Sequence, residues 1–178
     1  RVRGEGAYHL SAMANPSPLK SRHETDEAAL IPFGEAVHVV GTFGAVEVEY
    51  GAIHRAAAII DCPHRGLIRV TGDERLDFLN RMFSRDCKTL QAAQAERLAL
   101  LTEKGGIMAD VIVLHDAEQT WIDLDLPSVE SVLSELDRLL FAEDVQLENV
   151  SGQYHRLSVH GPDALADHHA ELADYAHQ

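Results

Sequence analysis

A single carboxylate in an apolar segment is the residue whose type and position point most directly to chemistry. Asp110 lies in "LLTEKGGIMADVIVL" (residues 100–114), which predicts two strands joined at a glycine pair. On a strand, Met108 and Ile112 share the face of Asp110. A charge on such a face must be paired, hydrogen-bonded or turned toward a ligand cavity, because unpaired burial is costly. Spacing alone does not separate such a site from an exposed edge-strand aspartate.

The glycine pair, Gly105 and Gly106, also leaves two interpretations open. After Lys104 it fits a type I′ or II′ hairpin turn, and close contact with a ligand is the other role that glycines allow.

Other chemistries lack their residue patterns. The sequence contains no GxGxxG, GxxxxGK[ST], GxSxG or HExxH. Its eleven histidines are scattered without ligand spacing, which favours solvated or capping roles over a metal site. Cys62 and Cys87 form no CxxC and have no evident activating base, so we expect buried, reduced thiols. The alternating Asp123 and Asp125 are typical of a solvated strand face.

The amino-acid composition limits which classes of partner and which cellular compartment are expected. The 178 residues carry a formal net charge of -14, which disfavours nucleic acid and anionic membranes as partners. No apolar run approaches the roughly 18 residues of a membrane span, and the beginning of the chain lacks a signal-peptide pattern. We therefore expect a soluble, cytoplasmic protein. "MANPSPLK" offers Met13 as a candidate start, with residues 1–12 an upstream extension or tag.

The elements that would position Asp110 follow the order β-α-β-β-β-α-β. "RGLIRVTG" predicts a strand and "DERLDFLNRMF" an amphipathic helix. Three strands follow as a meander, then a second helix from Pro127, then a further strand. This order indicates an α+β fold with helices on one face of a mainly antiparallel sheet.

The flanking segments give weaker patterns. Residues 1–33 predict a flexible lead-in without a core. "AVHVVGTFGAVEVEYG" predicts a short hairpin broken at Gly41 and Gly44, and "EYGAIHRAAAIIDCPH" an alanine-rich helix ending before Pro63. "PDALADHHAELADYA" predicts a C-terminal helix.

Three ordered blocks resemble a known family. They are "GAIHRAAAIIDCPHRGLIRVTGDERLDFLNRMFSRDCKTL", "LLTEKGGIMADVIVL" and "LFAEDVQLENVSGQYHRLSVHGPDA". Together they are similar to the N-terminal half of the folate-binding aminomethyltransferase superfamily, over roughly residues 35–166. That superfamily contains the glycine-cleavage T-protein and the YgfZ-type folate-binding proteins linked to iron–sulfur enzyme maintenance.

The resemblance implies three domains around a channel that binds tetrahydrofolate, with the first two domains α+β and ferredoxin-like in character. On that basis residues 34–64 begin domain 1, residues 65–150 form a ferredoxin-like domain 2, and residues 151–178 return to domain 1. The C-terminal barrel and the KGCxxGQE motif of the YgfZ branch do not occur in the sequence, so we expect a fragment of a longer product.

The resemblance also assigns a site. Asp110 matches the second aspartate of an acidic pair that lies beside the folate ring and assists aminomethyl transfer. Arg97, Met108 and Gly106 are the further folate-binding positions implied. The first aspartate of the pair is replaced by Ala109, and an aromatic residue that packs near the folate is replaced by Arg97. The family's D-V-S-H-M block reads "DCPHR" here, at residues 61–65.

Three functions follow as expectations. The first is folate-dependent one-carbon transfer of the aminomethyl type, with a lipoyl carrier protein as partner. The second is a YgfZ-like, non-catalytic folate-binding factor that serves an iron–sulfur enzyme, which the departures favour. The third is an α+β interaction module without a ligand.

Overall fold

A computed structural model describes residues 17–34 and 37–164, and the chain divides into two units. Unit 1 comprises residues 1–64 and 156–178, and unit 2 comprises residues 65–155. The chain enters unit 2 once and then returns to unit 1, and the return lies beyond the predicted boundary at residue 150.

Unit 2 contains five strands and two helices in the order that the sequence predicts. They are β4 (Arg65–Thr71), α3 (Arg75–Met82), β5 (Gln94–Leu101), β6 (Ile107–His115), β7 (Thr120–Asp125), α4 (Val129–Arg138) and β8 (Gln146–Asn149). The strands form one antiparallel sheet in the order β5-β6-β7-β4-β8. Mixed helices and an antiparallel sheet confirm the predicted α+β class.

The sheet of unit 2 has one buried face because its strands alternate apolar and polar residues. Strand β4 buries Ile68 and Val70, and β6 buries Val111 and Val113. Helices α3 and α4 cover this face and contribute further fully buried residues, namely Phe78, Leu79, Val129, Val132 and Leu136. The opposite side is called the outer face below, and it carries Arg97, Met108, Asp110, Ile112 and Asp123.

A glycine fixes the connection from β4 to α3. Gly72 has φ +103°, a conformation that residues with a side chain rarely adopt. A Cβ atom there would lie 2.0 Å from the carbonyl oxygen of Asp144. Only glycine therefore allows the backbone at position 72 to approach Asp144 this closely.

The described part of unit 1 contains two small sheets and two helices. Its described elements are α1 (Lys20–Thr25), β1 (Ala29–Phe33), β2 (Val37–Thr42), α2 (Val46–Arg55), β3 (Ala58–Asp61) and β9 (Leu157–His160). β1 pairs antiparallel with β2, and β3 pairs antiparallel with β9. Residues 156–164 therefore belong to the same unit as residues 17–64, although unit 2 separates them in the sequence.

Several predictions for this region were wrong. Residues 20–33 form α1 and β1, where the sequence predicts a flexible lead-in, because β1 finds a strand partner in β2. "VEVEY" begins α2 instead of the second strand of a hairpin, although its alternating pattern suggests a strand. The alanine-rich helix ends at Arg55, and Ala58–Asp61 becomes β3 by pairing with β9. Residues 1–16 and residues 165–178, which hold most of the predicted C-terminal helix, lie outside the described residues.

Candidate functional site

Asp110 lies on the outer face of the sheet of unit 2, in the middle of β6. Its neighbours Ala109 and Val111 point into the core and are 7% and 1% exposed. The side chain of Asp110 is 52% exposed. Strand β6 therefore buries one face and exposes the other. The exposed face accommodates the Asp110 carboxylate within an otherwise apolar sequence.

Arg97 on β5 holds this carboxylate. Arg97 Nε donates to Asp110 Oδ1 at 3.0 Å and to Oδ2 at 2.9 Å, and Nη2 also donates to Oδ2. The two residues lie on adjacent strands, since Asp110 pairs with Ala99 and Arg97 pairs with Ile112. Such a two-pronged contact fixes the orientation of the carboxylate as well as its charge.

The ion pair keeps Asp110 ionised. The hydrogen bonds from Arg97 lower the pKa of the Asp110 carboxyl, and the positive charges of Arg97 and Arg65 act in the same direction against partial burial. A carboxylate with a lowered pKa is a good hydrogen-bond acceptor and a weaker proton acceptor. The arrangement therefore favours binding and orienting a donor group over removing a proton from it.

The glycine pair forms the turn between β5 and β6. The amide of Gly105 donates to Thr102 O at 2.8 Å, and the amide of Gly106 donates to Thr102 Oγ1 at 3.0 Å. Gly105 has φ +78°, which explains a glycine at that position. Met108 follows the turn on the outer face and is partly exposed beside Asp110. Turn geometry thus explains Gly105, whereas no backbone strain requires glycine at position 106.

A second ion-pair cluster on the outer face was missed at the sequence level. Arg65 Nε donates to Asp123 Oδ1 at 2.9 Å, and Arg65 Nη1 donates to Asp125 Oδ1 at 2.6 Å. The side chains of Arg65 and Asp123 are 19% and 13% exposed, so this pair is largely enclosed. Asp123 and Asp125, which the sequence predicts to lie on a solvated face, are therefore both ion-paired with Arg65. Alternation of the two aspartates was the available sequence signal, but Arg65 lies 58 residues from Asp123 and 60 residues from Asp125.

The remaining candidates have structural roles. Burial, with Asp86 and Glu96 nearby, raises the pKa of the Cys87 thiol to about 11, so it stays protonated and poorly nucleophilic. Cys62 is also buried. Over residues 17–34 and 37–164, no three His, Cys, Asp or Glu side chains are grouped so that they could hold a metal ion.

Asp61, in the "DCPHR" segment, forms a buried contact that the local sequence pattern does not predict. Asp61 Oδ2 lies 2.6 Å from His23 Nε2 in α1, and Ser17 Oγ donates to the same oxygen at 2.5 Å. The side chains of His23 and Asp61 are only 7% and 4% exposed. This buried pair belongs to unit 1 and is separate in sequence from the outer face of unit 2.

The outer face offers a flat ligand two kinds of contact. Partly exposed Met108 and Ile112 provide apolar surface on either side of Asp110. The ionised carboxylate accepts hydrogen bonds from ring N–H or amino groups. The outer face can therefore contact both an apolar surface and a hydrogen-bond donor of a ligand.

Comparisons with known proteins agree on one family. A family model described as "GCVT N-terminal domain" matches residues 19–171. An aminomethyltransferase of Staphylococcus carnosus (strain TM300) is 30% identical over 159 residues, which cover 89% of this chain and 43% of that protein. The crystal structure of the glycine cleavage system aminomethyltransferase T from Bartonella henselae superposes with a TM-score of 0.77 at 25% identity. That match covers 90% of this chain and 43% of the crystallised one, so the chain spans less than half the length of these relatives.

No helix in the described part of the chain is long and apolar enough to cross a membrane.

Proposed function

Because the chain belongs to the aminomethyltransferase superfamily and corresponds to its N-terminal part, we propose that it binds tetrahydrofolate for one-carbon transfer of the aminomethyl type. The observation that carries the proposal is the ionised, oriented carboxylate of Asp110 on the outer face of unit 2. It follows the glycine turn at the position where the family resemblance puts a folate-facing aspartate. We further propose a cytoplasmic location and a lipoyl carrier protein as partner, in line with the glycine-cleavage relatives.

In this proposal each site residue has a separate task. Tetrahydrofolate supplies the nitrogen that accepts the one-carbon unit. Asp110 accepts hydrogen bonds from the ring and stabilises positive charge that develops near it. Arg97 fixes the Asp110 carboxylate, Met108 packs against the ring, and Gly106 keeps the turn free of a side chain beside it.

A non-catalytic alternative has its own supporting observation. Arg97 occupies the position of a folate-packing aromatic residue and engages the Asp110 carboxylate with three hydrogen bonds. A carboxylate held this way binds a ring but accepts a proton poorly. This arrangement favours a YgfZ-like factor that binds folate and serves an iron–sulfur enzyme without carrying out transfer.

The two alternatives separate in one set of measurements. Calorimetric titration with 5-formyl-tetrahydrofolate should show binding under both. Turnover of an aminomethyl donor on a lipoyl carrier should occur only under the transferase proposal. Asp110→Asn should weaken binding by about tenfold, the loss expected for a hydrogen bond to a charged group. Asp137→Asn, on the exposed side of α4, is the matched control.

A further variant tests the role of Arg97. Replacing Arg97 by Tyr restores an aromatic residue and frees the Asp110 carboxylate. If Arg97 suppresses transfer, Arg97→Tyr gains turnover while retaining folate binding. If folate binds neither the wild type nor Arg97→Tyr, both folate proposals fail for this chain by itself, and the α+β interaction module without a ligand is the expectation that is left.

A further inference from the structure

The outer face of unit 2 carries an aromatic pair that the proposed folate contacts do not use. Trp121 on β7 and Tyr154, which follows β8, have ring centroids 5.0 Å apart and planes at 68°. Trp121 is opposite Leu114 of β6 in the strand register, so these three side chains form one surface, called the aromatic shelf below. Leu114 is 39% exposed and Tyr154 is 49% exposed. The shelf therefore offers apolar and ring surface to a ligand on this face.

The other Phe, Tyr and Trp side chains of residues 65–155, all of which the structure describes, do not lie on the outer face. Phe78 and Phe83 are buried in the core, and Phe141 lies in the loop between α4 and β8. Aromatic rings prefer edge-to-face or offset-stacked contacts with one another. An aromatic group that binds to the outer face therefore finds these partners at Trp121 and Tyr154.

The charged residues beside the aromatic shelf are engaged with each other. Arg69 of β4 is opposite Trp121 in the register, and its Nη2 donates to Glu148 Oε2. Gln153 Nε2 donates to the other oxygen of Glu148 at 3.3 Å. The backbone amide of Tyr154 donates to the carbonyl oxygen of Val150 at 3.2 Å and holds this residue in place. The shelf is therefore pre-organised for an uncharged aromatic group, which reduces the entropic cost of binding.

The distance from Asp110 to the aromatic shelf matches one part of the proposed ligand. Asp110, Ile112 and Leu114 share one face of β6, so Leu114 is about 13 Å from Asp110 along the strand. In an extended tetrahydrofolate, ordinary bond lengths put the aryl ring of the p-aminobenzoyl group about 12 Å from the amino edge of the pterin. In the opposite direction β6 begins at Ile107, so the strand is too short to offer a surface of that length.

We propose that the aromatic shelf binds the p-aminobenzoyl group of the folate whose pterin contacts Asp110, an inference that rests on the proposed function. The aryl ring packs against Trp121 and Tyr154, and Leu114 supplies apolar contact beside it. Ile112 lies below the link between the pterin and the aryl ring. Ring contacts and burial of the aryl surface add affinity, so a reduced pterin without the aryl group binds more weakly.

Trp121 provides a local probe of this contact because it is the single tryptophan of the sequence. The isotope-labelled 178-residue chain is titrated with 5-formyl-tetrahydrofolate and, separately, with 6-methyl-tetrahydropterin, which lacks the aryl group. The backbone amide and indole N–H resonances are recorded by NMR. 5-Formyl-tetrahydrofolate should shift both the β6 amides around Asp110 and the indole of Trp121. 6-Methyl-tetrahydropterin should shift the β6 amides and leave the indole unchanged.

The outcomes distinguish the aromatic shelf from the folate proposal itself. If 5-formyl-tetrahydrofolate shifts the β6 amides to saturation without moving the Trp121 indole, the shelf is overturned and the folate proposal stands. If it gives no saturable shift at either place, both are overturned. An indole shift of equal size with 6-methyl-tetrahydropterin would show that the pterin reaches Trp121, and it would also overturn the role given to the shelf.

Variants of the aromatic pair give a second measurement. By calorimetry, Trp121→Ala should weaken 5-formyl-tetrahydrofolate about tenfold through the lost ring contact, whereas Trp121→Phe keeps a ring and should lose less. Phe141→Ala, which removes an exposed ring away from the outer face, is the matched control and should bind as the wild type does.

Tyr154→Ala is the second shelf variant if circular dichroism shows that Trp121→Ala folds poorly. Neither shelf variant should change the affinity for 6-methyl-tetrahydropterin, whereas Asp110→Asn should weaken both ligands. Wild-type affinity for 5-formyl-tetrahydrofolate in a folded shelf variant would contradict the proposal.

Discussion

Val111→Ala should lower the free energy of unfolding of unit 2 far more than Leu114→Ala, although Leu114→Ala removes more atoms. Both lie on β6, the strand that carries Asp110. Val111 points into the core and is 1% exposed, whereas Leu114 is on the outer face and is 39% exposed. The comparison therefore tests which side of the strand faces the core.

The expected losses in the free energy of unfolding follow from how much buried hydrocarbon each substitution removes. Val111→Ala removes two carbons, worth about 1.6 kcal/mol of transfer free energy, and leaves a cavity that raises the cost to about 2–3 kcal/mol. Leu114→Ala removes three carbons that are already partly in water, so we expect about 1 kcal/mol or less. A one-residue shift in register would reverse the order, because it exchanges the two faces.

Urea unfolding followed by tryptophan fluorescence measures this difference. Trp121 is the single tryptophan of the sequence and lies on β7, so its signal reports on unit 2. An unchanged denaturant slope would show that the variants unfold to a similar ensemble. If Leu114→Ala destabilises the unit as much as Val111→Ala, the assignment of Asp110 to the outer face is refuted.

Three further predictions concern other parts of unit 2. Gly72→Ala should cost more than about 2 kcal/mol in urea unfolding, because of its positive φ and the clash with Asp144, whereas Gly106→Ala, which meets only the Thr102 hydroxyl at 3.3 Å, should cost less. Backbone amides lower the pKa of Glu143 to about 2, so its contribution to stability is complete above pH 4.5 and lost as the pH falls toward 2. Glu143→Gln should therefore flatten the stability profile over that window, and an unchanged profile would contradict the assignment. Cys87 should resist iodoacetamide at pH 8 in the folded protein and react after unfolding; rapid native-state alkylation would show that its thiol is accessible.

Local sequence pattern was sufficient to predict most of unit 2. Its strands alternate cleanly, and α4 repeats apolar residues at helical spacing from Val129 to Leu136. The antiparallel meander follows from short connections such as the turn at Gly105. These signals lie within a few residues of one another.

Unit 1 could not be predicted in the same way because its structure depends on distant partners. Ala58–Asp61 continues an alanine-rich run that predicts a helix, and it becomes a strand by pairing with Leu157–His160, about a hundred residues later. "VEVEY" alternates as a strand would and yet begins a helix, where Glu49 bonds back to Thr42 and Phe43. In the first case a contact remote in sequence outweighed the local pattern, and in the second case a nearby side-chain contact did so.

The position of Asp110 on its strand was predicted from the sequence, whereas its ion pair with Arg97 was not. The apolar run singled out Asp110, and the period of the strand placed it correctly opposite the core residues. Its bond to Arg97 crosses from β6 to β5, and the contact of Arg65 with Asp123 crosses from β4 to β7. Such contacts follow from strand register, which becomes known only when the sheet order is known.

Titration of 5-formyl-tetrahydrofolate into the wild-type chain, Asp110→Asn and Asp137→Asn tests the central claim most directly. We predict binding by the wild type, the same affinity in Asp137→Asn, and a loss of about tenfold in Asp110→Asn. All three proteins should unfold at similar urea concentrations, because Asp110 lies on the exposed outer face. Equal affinity in Asp110→Asn and the wild type would contradict a folate-facing role for this carboxylate.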